Sequence, residues 1–429
     1  MTCARYRRVA TLLVAIVMCL PGCGTAVDFA LTGFGTVGFA IADQDLIYLR
    51  YIDRSGTFKT DSLIGAQVEA RFNNEWGATV QMVGSAPRTH DDGYEAKVRW
   101  AFLSYRPRND WLFRAGRLRP PVLINTQNAE VGVTYDAARL PAEVYTLSPV
   151  YDVDGAAMTK TWELGNGELA LDAYWGKSEI RYRLPFQRSP NAAQVLGSVG
   201  LPADRYVPQD ITFKGLILSH TSGQFMMRGG VHQARVQPQP AVAETFAPTP
   251  FPAPPPFGGV VYQPVNPQTR FDVTVITLGA EWRPGDWRLT GEYGQRISND
   301  TMLGPASKSG YVTLARGFGN WTPYVTYAQL RSPSDQRRLY QDLNTTPVPL
   351  GAQAPPLSLP PNLHEVFADI LTVFDQRSTM LGVSYSFSPT SKVKAEWMRT
   401  KVGLASALID GDIHHQSFNV FSLSYSVAF

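Results

Sequence analysis

The stretch FSLSYSVAF, residues 421–429, decides how the rest of the sequence is interpreted. Its apolar residues occupy every second position: Phe421, Leu423, Tyr425, Val427 and Phe429. Because successive side chains of a β-strand point to opposite faces, this pattern predicts a strand with one apolar and one polar face. Segments 287–298 and 391–401 repeat the alternation with Arg, Lys and Glu on the polar face.

Working outward from this segment, we predict sixteen strands whose connections alternate between short and long. The predicted strands are 27–42, 59–72, 76–84, 96–106, 111–118, 154–162, 168–177, 210–220, 225–235, 271–283, 287–298, 309–316, 321–330, 376–387, 391–401 and 418–429. Each short connection contains Gly, Pro, Asn or Ser, which suit tight turns. A membrane barrel has brief turns at one rim and extended loops at the other, whereas a soluble sandwich gives no reason for such strict alternation.

The first 26 residues have the pattern of a secretory signal peptide. Three arginines precede an apolar core, 9–20, of about 12 residues, which is too short to cross a bilayer of about 30 Å as a helix. Small residues near Ala26 favour cleavage after that position. Lipidation at Cys23 is the alternative, because Leu20 to Cys23 resembles a lipoprotein box.

Composition excludes several function classes. The chain has 429 residues, of which 44% are apolar, and its net charge of +3 gives no reason to expect nucleic acid as a partner. No segment after the signal peptide approaches 18 uninterrupted apolar residues, so no transmembrane helix is expected. We expect no metal ion either, because the adjacent His414 and His415 come without Cys or acidic ligands.

The stretch GFGTVG, residues 33–38, matches the G-x-G-x-x-G fingerprint of dinucleotide-binding proteins, and Asp53 lies where the ribose-binding acid is expected. A dinucleotide turn must open a helix, yet the residues around these glycines alternate with period two and show no helical stripe. We therefore interpret the glycines as positions where a strand bends or where neighbouring backbones approach closely. The sequence predicts no cofactor.

Alternation alone does not tell which face of each strand points inward. The asymmetry of the connections and the export signal together favour a membrane barrel, in which apolar faces contact lipid and charged faces enclose water. A closed barrel also satisfies every backbone hydrogen bond, as the hydrocarbon core demands. The prediction is an all-β fold: residues 27–429 form a single transmembrane antiparallel β-barrel of sixteen strands.

The whole mature sequence resembles the proteobacterial outer-membrane porins, which are trimeric barrels of sixteen strands. The resemblance is carried by GFGTVGF (33–39), DSLIGAQVEARFNNEWGATVQMVG (61–84), AGRLRPP (115–121) and FSLSYSVAF (421–429). It implies a homotrimer in outer-membrane lipid, with the outward faces of the first and last strands as a plausible interface. It also implies that Phe429 belongs to the signal read by the outer-membrane barrel assembly machinery.

The expected function follows from barrel size, because sixteen strands leave an aqueous channel. We predict passive diffusion of small hydrophilic solutes and ions, with no catalytic residues. The candidate constriction is loop 119–153, an apolar loop that needs a surface to pack against. The resemblance implies that this loop folds into the lumen, where Glu130, Asp136, Arg139 and Glu143 would border the narrowing.

The facing wall could supply the basic side of the constriction, through Arg71, Lys97, Arg99, Arg114 and Arg117. Opposed acidic and basic rows would create a transverse field that orients dipolar solutes and penalises apolar ones. Rim positions in solvent are the simpler interpretation of some of these charges. The parity of Arg117 is ambiguous next to Leu118.

Two other function classes stay open. A substrate-specific channel could have eighteen strands if segment 178–209 or 331–375 contains a further hairpin, and a lumenal ladder of Arg228, Arg288 and Arg296 would then matter. A barrel enzyme is disfavoured because the histidines show no evident Ser or Asp partner by spacing.

Two long loops carry further patterns. The proline-rich segment 237–264 is expected to limit disorder in an external loop or to cover the pore mouth. Segment 364–374 has apolar residues at near-helical spacing and predicts a short helix packed against the rim.

Overall fold

Sixteen strands form one closed antiparallel barrel in the computed structural model of the chain. The structure describes residues 27–148, 152–184, 191–199, 206–238, 244–253, 258–268, 270–301 and 305–429, and the signal peptide predicted at 1–26 lies outside them. The barrel strands are β1 (Asp28–Ala42), β2 (Leu63–Arg71), β3 (Trp76–Ser85), β4 (Glu95–Arg108), β5 (Trp111–Leu118), β6 (Val153–Leu164), β7 (Gly167–Arg183), β8 (Tyr206–Ser222), β9 (Phe225–Pro238), β10 (Phe271–Trp282), β11 (Trp287–Ile297), β12 (Ser307–Arg316), β13 (Trp321–Arg331), β14 (Phe374–Ser388), β15 (Ser391–Ser406) and β16 (Ser417–Ala428). All sixteen predicted strands are confirmed, and several extend further than predicted.

The barrel closes where β1 pairs with β16, in a register that sets Gly35 opposite Val427. At this seam the Gly33 N–H donates to the Phe429 carbonyl at 2.6 Å, and the Phe429 N–H donates to the Gly33 carbonyl at 2.8 Å. A Cβ at Gly33 would lie 2.4 Å from the Phe429 ring. The GFGTVG stretch therefore lies inside a strand, and Gly33 is needed for the close approach that the sequence predicted.

The two faces of each strand are separated as a membrane barrel requires. In β16, Phe421 and Leu423 are 52% and 56% exposed, whereas Ser424 and Ser426 are 4% and 0% exposed. In β11 the apolar side chains are likewise exposed and the polar ones buried. The apolar faces point outward and the charged faces point into the barrel, which is the reverse of a soluble protein and confirms the predicted orientation.

Aromatic side chains ring the end of the barrel at which the short turns lie. Those more than a third exposed include Phe29, Trp76, Phe113, Trp162, Phe225, Trp282, Trp287, Phe318, Trp321, Phe387 and Phe429. Their rings combine an apolar body with a polar or polarisable edge, which suits the level where acyl chains meet headgroups. The girdle marks one boundary of the membrane-spanning belt.

The long connections contain helices and a hairpin outside the barrel. The helices are α1 (Ala142–Tyr145), α2 (Ala192–Ser198), α3 (Ser334–Thr345) and α4 (Leu363–Ile370), and the hairpin pairs Glu244–Pro252 with Val260–Gln268. A small sheet joins Ile47–Tyr48 to Ile409–Asp410. Among the described residues no helix is long and apolar enough to span a membrane.

The eighteen-strand alternative is wrong, since the closed barrel has sixteen strands. In the described parts of 178–209 and 331–375, the residues between the barrel strands form helices α2, α3 and α4 rather than a further barrel hairpin. The hairpin that does occur lies in the proline-rich segment and forms a separate sheet. Prolines that cannot donate to a ladder do not suit a central barrel strand.

At the long-loop end these elements share their own hydrophobic core. Helices α2, α3 and α4 bury Leu196, Tyr340 and Phe367 against one another, and Val261 of the hairpin joins them. We call helices α2, α3 and α4 and this hairpin the long-loop cap. The helix predicted at 364–374 is confirmed as α4, which packs against α2 and α3.

Candidate channel constriction

The third long connection folds into the barrel. Strand β5 ends at Leu118, and Pro120 and Pro121, which follow it, cannot donate backbone hydrogen bonds to a continuing sheet. The described part of the connection contains a helical turn at Gly132–Thr134 and helix α1. We call residues 119–148 the lumenal loop.

The first anchor of the lumenal loop is Glu292, on the inward face of β11. Its carboxylate accepts the N–H of Ile124 at 2.6 Å and the hydroxyl of Tyr145 at 2.7 Å. Tyr311 of β12 donates a third hydrogen bond at 2.8 Å. Glu292 is 4% exposed, and a buried carboxylate without a paired cation needs several donors. These bonds tie both ends of the loop to a wall five strands beyond β6.

The middle of the lumenal loop is anchored through Asp136. This carboxylate pairs with Arg288 of β11 and with Lys392 of β15, whose Nζ lies at 2.7 Å, and it accepts the Ser384 hydroxyl at 2.9 Å. Two residues further along β15, Lys394 donates to two backbone carbonyls of the loop, at 2.6 and 3.0 Å. Charge-assisted contacts therefore hold the loop against β11, β14 and β15.

Two further charged residues of the loop also contact the barrel or its first long connection. Glu143 is fully buried and accepts hydrogen bonds from Gln376, at 2.7 Å, and from Ser378. Arg139 forms a two-pronged ion pair with Asp61, of which one contact measures 2.8 Å. A planar guanidinium matched to a carboxylate in this way fixes orientation as well as position.

A compact ion cluster surrounds Glu130 where the loop leaves β5. Glu130 lies 3.1 Å from Arg99 of β4 and 3.0 Å from Arg119, while Asp152 lies 3.5 and 3.1 Å from the same two guanidinium groups. The side chains of Arg99 and Arg119 are 2% and 1% exposed, and Arg88 approaches Glu130 at 3.6 Å. Buried charges persist only when they are paired in this way.

All four residues predicted on the loop thus contact other parts of the protein directly. Glu130 meets Arg99, which the sequence predicted on the facing wall, so this acid and this base form an ion pair instead of opposing each other across water. Asp136 and Arg139 form ion pairs, and Glu143 accepts hydrogen bonds from neutral side chains. The pore-lining role of these residues stays a prediction, and their contacts are those of anchors.

The predicted wall residues occupy different levels of the barrel. Lys97 and Arg114 are half-buried and face inward, and Arg114 donates to Thr159 at 3.2 Å, with Asp172 3.8 Å away. Arg71 also has inward parity, but it is the last residue of β2 and is exposed beside a short turn. It therefore lies at the rim.

The lumenal assignment of Arg117 is wrong. Arg117 shares its parity on β5 with the outward-facing Phe113, and it forms a two-pronged ion pair at 2.7–2.8 Å with Asp154, which is 59% exposed. Asp154 stands directly opposite Arg117 in the register of β5 and β6. The alternation that fixes parity is hard to read where a strand runs directly into a loop.

The arginine ladder considered for a specific channel also contacts the lumenal loop. Arg228 donates to the carbonyl of Leu123 at 3.0 Å, and Arg296 donates to the carbonyl of Leu147 at 3.2 Å. Arg288 is the partner of Asp136. All three arginines therefore support the loop from the wall of β9 and β11.

Sequence reasoning missed the wall partners Glu292, Asp61 and Asp152 as site residues. Lys392 and Lys394 were identified as polar-face residues of their strand, but not as partners of the loop. The inward parity of Lys392 and Lys394 follows from the alternation of their strand. Their contacts with loop residues more than 250 positions away depend on how the loop crosses the lumen.

The buried histidine of the wall lies between two hydroxyl groups. His232 of β9 lies 2.8 Å from the Tyr174 hydroxyl through Nδ1 and 3.2 Å from the Thr277 hydroxyl through Nε2. Both ring nitrogens are thereby used in a tyrosine–threonine wall contact. In the part of the chain that the structure describes, no group of three His, Cys, Asp or Glu side chains could hold a metal ion.

Comparisons with known proteins agree with this architecture. No family model and no curated protein matches the sequence. Among solved structures, OmpF of Salmonella typhi in complex with daunomycin aligns with a TM-score of 0.52 and 11% identity, over 94% of this chain and 97% of that chain. A loop L8 deletion mutant of OmpT, an outer membrane protein of Vibrio cholerae, aligns with a TM-score of 0.52 and 13% identity, over 94% and 100%.

The outer membrane channel DcaP of Acinetobacter baumannii aligns with a TM-score of 0.50 and 12% identity, over 96% of this chain and 100% of that chain. At these identities the agreement is one of fold. Together with the closed sheet, the outward apolar belt and the lumenal loop, it identifies this chain as a sixteen-stranded outer-membrane β-barrel with the fold of the Gram-negative porins.

Proposed function

We propose that this chain is a porin, a water-filled channel for passive diffusion of small hydrophilic solutes and ions across the outer membrane. The observation that carries the proposal is a sixteen-stranded barrel whose charged face points inward. A barrel of this strand number is too wide to be filled by its own wall side chains. Solutes would cross without forming covalent bonds, so the proposed function needs no catalytic residue.

We propose further that the lumenal loop sets the narrowest part of the channel. Most of its wall contacts lie on β9, β11, β14 and β15, and Glu130 also pairs with Arg99 of β4. Most of the loop would therefore rest against the β9 to β15 side of the lumen. The water path would then run between the loop and the walls of β2 to β7, where Lys97 and Arg114 face inward. Charges at a narrowing set which solutes pass, because the low-dielectric walls focus their field.

A substrate-specific channel is the second candidate, and the long-loop cap favours it. The cap has its own hydrophobic core at the long-loop end of the barrel, where a selective channel can use a folded structure to control entry. The cap contains three helices and a hairpin with buried aromatic residues. Conductance that saturates with one solute would distinguish this candidate from general diffusion.

Assembly follows from the same proposal. Segment 1–26 would direct export, the outward faces of β1 and β16 would form a homotrimer interface, and the barrel assembly machinery would read the strand that ends with Phe429. Support for the interface is the exposed apolar surface at the seam, which includes Phe29, Leu31 and Leu423. The rest of the belt would contact outer-membrane lipid.

Single-channel recording in planar bilayers tests the proposal. We expect stepwise, ohmic conductance from the purified barrel, and a reversal potential in a salt gradient that reports the ion preference. A folded barrel that inserts but gives no conductance under any solute condition would overturn the channel function. Conductance that saturates with one solute only would select the specific-channel alternative.

A further inference from the structure

On β13 and β14 the outward surface changes from apolar to polar at a similar height. On β13 the outward residues are apolar or aromatic from Trp321 to Tyr327 and become polar at Gln329. On the antiparallel β14, Leu381 is the last apolar outward residue toward the long-loop end, and Thr379 is the first polar one. About eight residues at about 3.3 Å each, on strands tilted by about 40°, give an apolar belt of roughly 20 Å. The change marks the boundary of the belt opposite the aromatic girdle.

Five cations lie at this boundary on four consecutive strands. They are exposed and outward-facing: Lys308 on β12, Arg331 on β13, Arg377 on β14, and Arg399 and Lys401 on β15. The register sets Lys308 opposite Arg331 and Arg377 opposite Lys401. We call these five residues the basic patch.

The basic patch has little counter-charge of its own. Asp375 pairs with Arg331 at 3.2 Å. Among the described residues, no acidic side chain lies within ion-pair distance of Lys308, Arg377, Arg399 or Lys401. Like charges on neighbouring strands repel, so the patch costs free energy unless an anion covers it.

Another sector at the same boundary does not share this surplus. On β9 and β10, Arg235 pairs with Asp272 at 3.0 Å. On β7, Glu179 lies between Lys177 and Arg181 along the same outward face. The basic patch is therefore a local feature of β12 to β15.

We propose that the basic patch binds the phosphate groups of anionic lipid in the outer leaflet. Tyr327 and Leu381 lie directly below it and would contact the acyl chains of the same lipid. Clusters of Lys and Arg beside an apolar membrane surface bind anionic headgroups in this way. The proposal rests on the membrane placement of the barrel and is independent of what the channel conducts.

A second copy of the chain fits the patch less well. A symmetric contact through β12 to β15 would bring four unpaired cations of one copy against those of its partner. Solutes in the channel are separated from the patch by the barrel wall. Lipid phosphate is the anion that stands at this height in an outer leaflet.

The test compares two variants with equal loss of charge. One carries Arg377→Gln, Arg399→Gln and Lys401→Gln, and the matched control carries Lys177→Gln, Arg181→Gln and Lys214→Gln on the outward face of β7 and β8. Detergent-solubilised barrels are titrated with bisphosphorylated lipid A, with the same lipid after removal of its phosphates, and with inorganic phosphate. Bound lipid is counted by native mass spectrometry.

Each cation near an anionic lipid surface contributes about a fivefold change in binding, so the patch variant should bind lipid A roughly 100-fold more weakly at low salt. The control variant should bind lipid A with an affinity within about fivefold of that of the unsubstituted barrel. The unsubstituted barrel should bind the dephosphorylated lipid poorly. Equal losses in both variants would overturn the proposal, as would full competition by inorganic phosphate. A changed oligomer size with unchanged lipid binding would identify a contact between copies instead.

If the triple glutamine variant does not fold, Arg377→Lys combined with Arg399→Lys keeps the charge and removes the guanidinium groups. Lipid binding retained in this variant supports a charge-based site. Loss of binding in a folded barrel with the charge retained would contradict it.

Discussion

The lumenal loop and the long-loop cap are both made from connections between strands, yet they are held in different ways. The loop is tied to the barrel wall by carboxylates, guanidinium groups and lysines, such as Asp136 with Lys392. The cap is held by apolar side chains, such as Phe367 and Leu343, that are about 1% exposed. One segment lies inside the barrel and the other lies beyond it.

The difference follows from what each segment meets. The barrel turns its apolar face to lipid, so its inner wall offers mainly polar groups, and a segment that enters must satisfy them. The cap extends beyond the wall into water, where burial of its own apolar surface drives packing. Some apolar side chains of the loop, including Val144 and Leu147, pack as well, but the charged contacts fix where the loop lies.

Phe367→Ala should produce the largest effect and should be confined to the cap. Truncation of a buried Phe costs about 3–5 kcal/mol. Among the described buried residues of the cap core, Ala405 alone lies on a barrel strand. We expect faster proteolysis and hydrogen exchange in 334–370, with an unchanged barrel melting temperature. Leu350→Ala is the control, because Leu350 is 84% exposed. Loss of the barrel together with the cap would contradict the separation of the two regions.

Glu130→Ala should destabilise the lumenal loop by about 3 kcal/mol, because it leaves two buried guanidinium groups to share Asp152. Asp154→Ala removes an exposed ion pair from the outer face and should cost about 1 kcal/mol or less. Thermal unfolding measures both, and open-channel current noise should rise only with Glu130→Ala. Equal effects would mean that the loop cluster is not a buried anchor.

The cap should loosen on acidification through His364. Its Nε2 accepts the Tyr262 N–H at 2.9 Å and its Nδ1 lies 2.7 Å from the Thr346 carbonyl, so the ring is neutral with the proton on Nδ1. Burial lowers the pKa of His364 and outweighs the opposing effect of the Thr346 carbonyl. The pKa of His364 in the folded cap lies below its unfolded value of about 6.5. The stability that neutral His364 contributes to the cap is therefore fully present above about pH 6.5 and is lost as the pH falls through the folded pKa.

Protonation of Nε2 would exchange a buried hydrogen bond for two facing donors, at a cost of about 1–2 kcal/mol. Proteolysis of the cap should therefore accelerate between pH 7 and pH 5. In His364→Gln this pH dependence should disappear. A cap whose protection is equal at both pH values in the unsubstituted protein would refute the role of His364.

Asp91→Asn should have the smallest effect. Asp91 links three segments, since it accepts Arg50 Nε at 3.1 Å and the Tyr206 hydroxyl at 2.6 Å, with Arg183 at 3.6 Å. Burial alone would raise the pKa of Asp91, but Tyr206, Arg183 and Arg50 together lower it. The side chain is a third exposed, so we expect about 1 kcal/mol, reduced further by salt. Hydrogen exchange in 86–94 measures this loss of stability, which should be smaller at high salt than at low salt.

The barrel was predictable because its signals are local. Period-two alternation in segments such as 421–429, and turns such as 283–286 between apolar runs, identify each hairpin without reference to the rest of the chain. The cap hairpin was not predicted, because its prolines are typical of a loop. Val261 and Tyr262 of this hairpin pack into the cap core, and the Tyr262 N–H donates to His364 of α4, which no local pattern predicts.

The candidate site was predictable in outline only. Parity identified the inward-facing Arg99, Arg288 and Lys394, and the apolar composition of 119–153 predicted a loop that packs against something. Which loop residue meets which wall residue depends on the path of the loop, and Asp136 finds partners 152 and 256 positions away. No local pattern carries that information.

Cysteine accessibility on β2 tests most directly whether the charged face of the barrel encloses water. Glu69 is exposed on the inward face, and its neighbour Val68 is 42% exposed on the outward face. A charged, water-soluble thiol reagent should reduce the single-channel current of Glu69→Cys and leave that of Val68→Cys unchanged. The reverse result, or modification of both with no change in current, would contradict the account.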